Sequence, residues 1–318
     1  MVSYPIKETK LNLKGKDFLT LADFSPEIIK GLLFKAKKMK NAVKLGEKSE
    51  LLKGKILGMI FDKSSTRTRI SFEVGMLQLG GQALYLNGQD LQLGRGETIA
   101  DTARVLSGYL DAIMIRTFSH QKVEELAHYA TIPVINGLTD LYHPCQALAD
   151  LLTIMEIKGE LAGQKFVYVG DGNNVAHSLM MAAAKLGIDL TIATPSGYEP
   201  DASILKNAQI FAAESNAKIT ITNDANNAVK GADIIYTDVW TSMGQESENE
   251  KRLKDFQYFQ VNDALMEKAK HDFLFLHCLP AHRGVEVSAS VIDGVNSAVF
   301  QQAENRLHIQ KALLSEIL

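Results

Sequence analysis

Cysteine is nearly absent from this chain: Cys145 and Cys278 are the two thiols among 318 residues, and they lie far apart. That scarcity excludes a disulfide framework and offers no zinc-ligand spacing, so a reducing cytoplasm is the expected compartment. Long apolar runs are missing as well. No stretch approaches the roughly 18 residues of a membrane span. Residues 1–16 are polar and lysine-rich, with no apolar h-region and too much acidity for a transit peptide. Charge of one sign is not in excess either. A net charge of −3 leaves no basic stripe for a phosphate backbone, so neither nucleic acid nor membrane is an expected partner. Internal repeats of roughly 20–50 residues and low-complexity tracts are also lacking.

What remains is an ordinary globular composition, 46% hydrophobic and 22% charged, in a chain long enough for two cored domains. Short apolar segments alternate with longer helical patterns throughout, which predicts an α/β fold of two doubly wound domains with mainly parallel sheets. Strands are expected at residues 55–61, 82–86, 112–116 and 133–136, separated by helices at 26–43, 68–80, 97–108 and 123–130. A long helix should run from Pro144 to about Ile157. The segment 158–164 reads as a seam, giving expected domains of 1–150 and 151–318. A second series of strands is expected at 165–170, 189–194, 218–222, 233–238, 273–277 and 297–300, followed by an amphipathic helix from 303 to 318.

The residues that carry chemistry fall where expected strands end and helices begin, the edge at which open α/β sheets bind ligands. Ser65-Thr66-Arg67-Thr68 places hydroxyls and a guanidinium at a helix start, where free N–H groups and the macrodipole favour an anion such as phosphate. The same string serves equally as a Ser/Thr cap followed by solvated arginines. Arg116 closes a strand and suits a phosphate or carbonyl oxygen, or a surface carboxylate. His143-Pro144-Cys145-Gln146 opens the long helix, where a neutral imidazole can donate to a carbonyl and an amide can accept an N–H.

Gly170-Asp171-Gly172-Asn173-Asn174 lacks the third glycine of a dinucleotide fingerprint, Val175 standing in its place, so no nicotinamide is expected. Asn174 either faces the cleft or caps the next helix. Asp238, ahead of Ser242-Met243-Gly244, offers a carboxylate to an ammonium group or simply ends a strand at the surface. In His277-Cys278-Leu279-Pro280 the two side chains should point to opposite faces, which removes the nearest base from Cys278 and favours a contact over a nucleophilic role. Leu279-Pro280 is a candidate cis peptide.

In this order, the strings resemble the aspartate/ornithine carbamoyltransferase superfamily and, through Ser242-Met243-Gly244 and Cys278, its ornithine branch. The likeness runs from about residue 16 to the C-terminus and includes Ala303-Glu304-Asn305-Arg306. It implies two domains linked by two helices, the first for carbamoyl phosphate and the second for ornithine, with the last helix packing back on the first. It implies homotrimers, with higher assemblies left open, and a role in arginine metabolism. No metal or organic cofactor is implied, because carbamoyl phosphate is already activated.

The residues implied for carbamoyl phosphate are Ser65, Thr66, Arg67, Thr68, Arg116, His143, Pro144, Cys145, Gln146, Cys278, Leu279 and Arg306, with Gln92 reaching a neighbouring subunit. Those implied for ornithine are Asn174, Asp238, Ser242 and Met243. Arg116, His143 and Cys278 are implied at the reacting groups. Rival readings are a carbamoyltransferase for aspartate, putrescine or an acylated ornithine, a dehydrogenase, and a non-catalytic anion-binding module.

Overall fold

The computed structural model describes residues 11–92 and 96–318. The chain forms two compact units. One is built from residues up to Leu19, Asp23–Gly137 and Leu307–Leu318, the other from Thr20–Ala22 and Leu138–Arg306.

The first unit alternates helix and strand: α1 (Pro26–Lys44), β1 (Ile56–Phe61), α2 (Thr66–Gln78), β2 (Gln82–Asn87), α3 (Ile99–Ser107), β3 (Ala112–Arg116), α4 (His120–Tyr129) and β4 (Val134–Leu138). Its four-stranded sheet has the order β2-β1-β3-β4, with β1 parallel to both neighbours. Strands covered on both faces read as unbroken apolar runs, and β1 and β3 do so; the edge strand β2 leaves Leu84 and Tyr85 exposed. The core gathers Ile60, Ile113, Ile115, Val123, Leu126 and Val134. Because the chain runs out to β2 and then crosses back to β3, the strand order reverses between β1 and β3. A crevice for ligand is expected there, beyond the C-terminal ends of those strands.

The second unit starts with α5 (Pro144–Lys158) and continues through β5 (Lys165–Val169), α6 (Asn174–Leu186), β6 (Asp189–Ala193), α7 (Ala202–Ser215), β7 (Ile219–Thr222), α8 (Ala225–Ala228) and β8 (Ile234–Thr237). It then carries α9 (Asn249–Asp255), α10 (Asp263–Met266), β9 (Leu274–His277), α11 (Ala289–Ile292) and the first part of α12 (Val299–Ile317). The sheet order is β7-β6-β5-β8-β9, all parallel, so its reversal lies between β5 and β8. Local signals set the helix ends: Asn173 and Asp201 cap α6 and α7, and Gly187 ends α6 in the left-handed region at φ 75°.

Three differences from the sequence reading have physical causes. The strand expected at 297–300 is a single bridge, Phe275 to Ser297, and α12 starts at Val299, four residues before the expected 303. Val299 and Phe300 favour extended backbone locally, but Ala298 already accepts from Gln302 N–H and opens the helix. In the first unit α2 begins at Thr66 rather than Thr68, because Ser65 is its cap. Finally, the units part between Gly137 and Leu138, whereas a division at 150 crosses the unbroken helix α5. The end of α12 lies in the first unit, where Lys311 Nζ donates to Gln78 Oε1 at 2.8 Å and Ile317 C=O accepts from Gly15 N–H at 2.9 Å.

Candidate functional site

At the first unit's reversal point, β1 ends at Phe61 and the chain turns into α2 through Ser65. The Ser65 hydroxyl oxygen accepts from Thr68 N–H at 3.2 Å, and its proton is directed at Thr68 Oγ1, 3.1 Å away. Thr68 is buried, Ser65 and Arg67 are half-buried and Thr66 is exposed. A helix N-terminus with hydroxyls and a guanidinium is thus open to an anion.

Across the reversal, Arg116 closes β3 with its side chain 8% exposed, paired in register with Phe61. Its carbonyl accepts from Asp62 N–H at 2.9 Å. Asp62 in turn accepts from Thr117 Oγ1 at 2.6 Å and pairs with Lys122 Nζ at 2.7 Å, so its carboxylate is neutralised beside the anion-binding turn. Gly88 makes room for this group, since a Cβ there would meet Asp62 Oδ1 at 1.9 Å. Gln92 is exposed, its carbonyl accepting from Glu97 N–H at 3.2 Å. Its neighbours Leu93 and Gly94 lie outside the described residues.

In the second unit, one face of α6 pins the entry to α5. Asn174 Nδ2 donates to Thr139 C=O at 2.5 Å, His177 Nδ1 lies 2.9 Å from Leu141 C=O, and Ser178 Oγ accepts from His143 N–H at 2.7 Å. These three side chains sit at helical i, i+3, i+4 spacing. His177 Nε2 accepts from Asp201 N–H at 3.0 Å, so the proton belongs on Nδ1, and burial holds its pKa below the ordinary histidine range. His143 makes no side-chain bond to the helix it caps, and Pro144 occupies the first turn. Burial pushes the Cys145 thiol up to about 12, so position 145 offers no thiolate.

Gln146 is held from both ends. Its Oε1 accepts from Arg306 Nη1 at 2.7 Å, and its Nε2 donates to Asp150 Oδ1 at 2.8 Å. Asp150 Oδ1 also accepts from Gln302 Nε2 at 2.6 Å. All four side chains are buried, and burial raises the Asp150 carboxyl to about 7, against the pull of the two amides and the Arg306 charge.

At the second reversal point, Asp238 follows β8 with its side chain buried. Its Oδ1 accepts from Cys278 Sγ–H at 2.9 Å and Val239 N–H at 2.8 Å, and its Oδ2 from Asn173 Nδ2 at 3.0 Å. The turn beyond it is closed by Ser242 C=O accepting from Gln245 N–H at 3.0 Å, with Gly244 at φ 96° and Met243 exposed. Arg252 ties this loop to the turn after β5. Its Nη1 donates to Trp240 C=O and to Asp171 Oδ2, both at 2.9 Å, while burial raises the Asp171 carboxyl to about 6. Cys278 Sγ faces the Asp238 carboxylate as a donor. His277 is turned the other way, toward Glu286. Asp238, His277 and Cys278 bring ligand atoms within 4.8 Å of one another, yet both His277 ring nitrogens are already engaged, by Leu279 N–H and Glu286. Leu279-Pro280 is cis, as the sequence suggested.

Comparison with known proteins agrees with both halves of this picture. A family model described as the carbamoyl-P binding domain of aspartate/ornithine carbamoyltransferase matches residues 16–156, and one described as the Asp/Orn binding domain matches 162–317. The chain belongs to the aspartate/ornithine carbamoyltransferase family. Ornithine carbamoyltransferase of Anoxybacillus flavithermus is 65% identical over 97% of this chain and 98% of its own length. That of Bacillus subtilis is 63% identical over 98% and 96%. The solved ornithine carbamoyltransferase of Pyrococcus furiosus superposes with a TM-score of 0.94 at 61% identity, covering 96% of this chain and 98% of that one.

For a carbamoyltransferase chain, the two reversal points hold complementary groups: hydroxyls and guanidinium in the first unit, carboxylate and amides in the second. The sequence reading gave Asn174 a possible capping role; the cap is Asn173, whose Oδ1 accepts from Val175 and Ala176 N–H. Asn173, Asp150, Ser178, Arg252 and Glu286 were not singled out. One of these had a signal: Asp150 follows Gln146 by one helical turn. Among the described residues no helix is long and apolar enough to cross a membrane.

Proposed function

We propose that this chain transfers the carbamoyl group of carbamoyl phosphate to the δ-amine of L-ornithine, giving L-citrulline and phosphate. The observation that carries it is the carboxylate at the second reversal point: Asp238, buried and held by three donors, followed by the Ser242-Met243-Gly244 loop. An aspartate acceptor would call for cations there, and putrescine would have no use for the groups that meet an α-carboxylate. Relatives that match 97% and 98% of the chain at over 60% identity carry the name ornithine carbamoyltransferase.

In the first unit, Ser65, Thr66, Arg67 and Thr68 take the phosphate, and Arg116 bridges phosphate and carbonyl oxygen. In the second, His143 steadies the oxyanion. Gln146 and the Leu279 carbonyl take the carbamoyl NH₂, with Pro144, Cys145 and Arg306 completing that pocket. Asp238 and Ser242 receive the α-amino group; the Met243 backbone and Asn174, through the second of its amide hydrogens, receive the α-carboxylate. Cys278 lies beside the amine as a contact.

The neutral amine attacks the carbamoyl carbon, the C–O bond to phosphate breaks with its electron pair leaving on the phosphate oxygen, and the proton the amine sheds ends on the departing phosphate. Every residue named aligns the reactants or stabilises charge. A free alkyl amine has a pKa near 10, so about one in a thousand is neutral at pH 7. The rate of the chemical step should therefore climb between pH 6 and 9, and a flat profile would contradict this nucleophile.

The chain is further read as a cytoplasmic homotrimer, with Gln92 serving the phosphate site of a neighbouring subunit. Exposed Ile70, Leu77, Leu84 and Tyr85 on α2 and the β2 edge support a second copy as their cover. Sedimentation at equilibrium tests the assembly. The direct test of activity mixes purified protein and carbamoyl phosphate with ornithine, aspartate, putrescine or acylated ornithine. Citrulline from ornithine is expected, and preference for another amine would overturn the assignment.

A further inference from the structure

A buried pair that takes no part in the roles above stands behind the Leu279 backbone. Leu279 has φ 59°, in the left-handed region that branched residues avoid. Its N–H donates to His277 Nδ1 at 2.9 Å. A ring nitrogen that accepts must carry the lone pair, so the His277 proton sits on Nε2, and Nε2 faces Glu286 Oε1 at 3.2 Å. Both side chains are fully buried.

Glu286 is itself fixed. Its Oε1 accepts from His282 N–H at 2.6 Å, its Oε2 lies 3.7 Å from His282 Nδ1, and its carbonyl accepts from Val261 N–H at 2.9 Å. His277 N–H, at the end of β9, donates to Gln302 Oε1 at 2.9 Å, the same side chain that donates to Asp150. His277 is thereby held at its backbone N–H and at both ring nitrogens, the ring in a single tautomer.

A carboxylate buried beside a neutral imidazole is a costly way to fill space, and an apolar pair of the same volume would pack there without a desolvation penalty. What the pair supplies is an acceptor aimed at one backbone N–H. We propose that Glu286 is a positioning residue for the carbamoyl group: through the His277 tautomer it sets the Leu279 peptide, and with it the carbonyl offered to the carbamoyl NH₂. This rests on the carbamoyl-transfer reading. An amide at position 286 presents either an oxygen or an NH₂ to Nε2. The second choice moves the ring proton to Nδ1 and sets it against Leu279 N–H.

The test compares full-length wild type with Glu286→Gln, His277→Asn and the double variant. Asn at 277 keeps an acceptor near the place of Nδ1 but has no tautomer for Glu286 to fix. For Glu286→Gln, kcat/KM for carbamoyl phosphate should fall roughly 10- to 100-fold, the scale of a small misplacement of reacting groups. Inhibition by inorganic phosphate should stay within about threefold, because its ligands lie elsewhere. In the His277→Asn background the same change should cost less than about threefold.

A kcat/KM within about twofold of wild type would overturn the proposal. So would equal weakening of phosphate and carbamoyl phosphate, or an equal loss in both backgrounds. If Glu286→Gln does not fold, Glu286→Asp replaces it with the same expectations, since the shorter acid no longer reaches Nε2. Failure of the wild type to make citrulline would bring down the functional reading instead. Glu286 would then be judged by calorimetry of carbamoyl phosphate binding to the same variants, where an unchanged affinity would overturn it.

Discussion

The two reversal points solve opposite electrostatic problems. At the first, the groups are partly open and locally bonded: Thr66 exposed, Ser65 and Arg67 half-buried, and the helix N-terminus providing much of the attraction. In the second unit, Gln146, Asp150, Arg306, Asp238, His277 and Glu286 are buried, and each already holds hydrogen-bond partners within that unit. A phosphate dianion carries enough charge to be drawn to backbone N–H groups and guanidinium from solvent. A carbamoyl amide and a single ammonium carry little, so selecting them depends on directional bonds. Such bonds are worth most when their partners are already immobile.

That contrast is open to attack from either side. The largest effect belongs to the charged half. Arg67→Ala should lower the carbamoyl-transfer rate by 10²–10³, or about 3–4 kcal/mol, the scale of removing one transition-state donor. The variant should retain its melting temperature, because Arg67 is only half-buried and the α2 cap is made by Ser65. Steady-state turnover and a thermal scan measure both, and near-normal turnover would break the assignment of the anion to this helix.

On the prewired side, Asp238→Asn should raise the KM for ornithine by about 10- to 100-fold. That is the 1.5–3 kcal/mol scale of a hydrogen bond to a charged group. Carbamoyl phosphate affinity, measured by calorimetry, should be unchanged. If both substrates weaken together, Asp238 supports the fold of the loop rather than the ammonium.

The same contrast explains what could be read from the chain. Ser65-Thr66-Arg67-Thr68 announces itself because a helix-start anion site is built from consecutive residues whose chemistry is local. Strands such as Ala112–Arg116 were legible for a similar reason, an unbroken apolar run bounded by turns. Glu286 was illegible because nothing in Val285-Glu286-Val287 distinguishes a fully buried carboxylate from a solvated one; its partner is nine residues away across a loop. Asn173 and Asn174 are adjacent and identical in chemistry, and only the helix start decides which of them caps. The residues 297–300 carry β propensity that survives as a single bridge to Phe275 and is then overridden by the helix opening at Ala298, whose carbonyl accepts from Gln302 N–H.

Prewiring also leaves a mark on stability. The Asp150 carboxyl is raised from 3.8 to about 7, chiefly by burial. A group whose folded pKa is raised binds more protons folded than unfolded. Its stabilising contribution is therefore present in full at low pH and is lost as pH climbs through about 7. Asp150→Asn keeps an oxygen for Gln146 and Gln302 but cannot ionise. The stability difference between variant and wild type should shift toward the variant by about 1–1.5 kcal/mol from pH 6 to pH 8. Urea unfolding at the two pH values measures it, and a difference that does not change with pH would mean that Asp150 is already ionised throughout this range.

The smallest effect is expected at Cys278, and it separates two kinds of chemistry. The thiol donates to Asp238, and no imidazole serves it as a base, since the His277 ring is committed to Leu279 and Glu286. A serine hydroxyl donates in the same direction over a slightly shorter reach. Cys278→Ser should then lose about 1 kcal/mol, five- to tenfold in kcat/KM for ornithine, with little change for carbamoyl phosphate. A covalent nucleophile gives a different answer: its removal costs on the order of 10⁴-fold or more in kcat. A loss of that size, or a trapped carbamoyl-cysteine in the absence of ornithine, would turn a contact residue into a reacting one and make the second region the chemically active half.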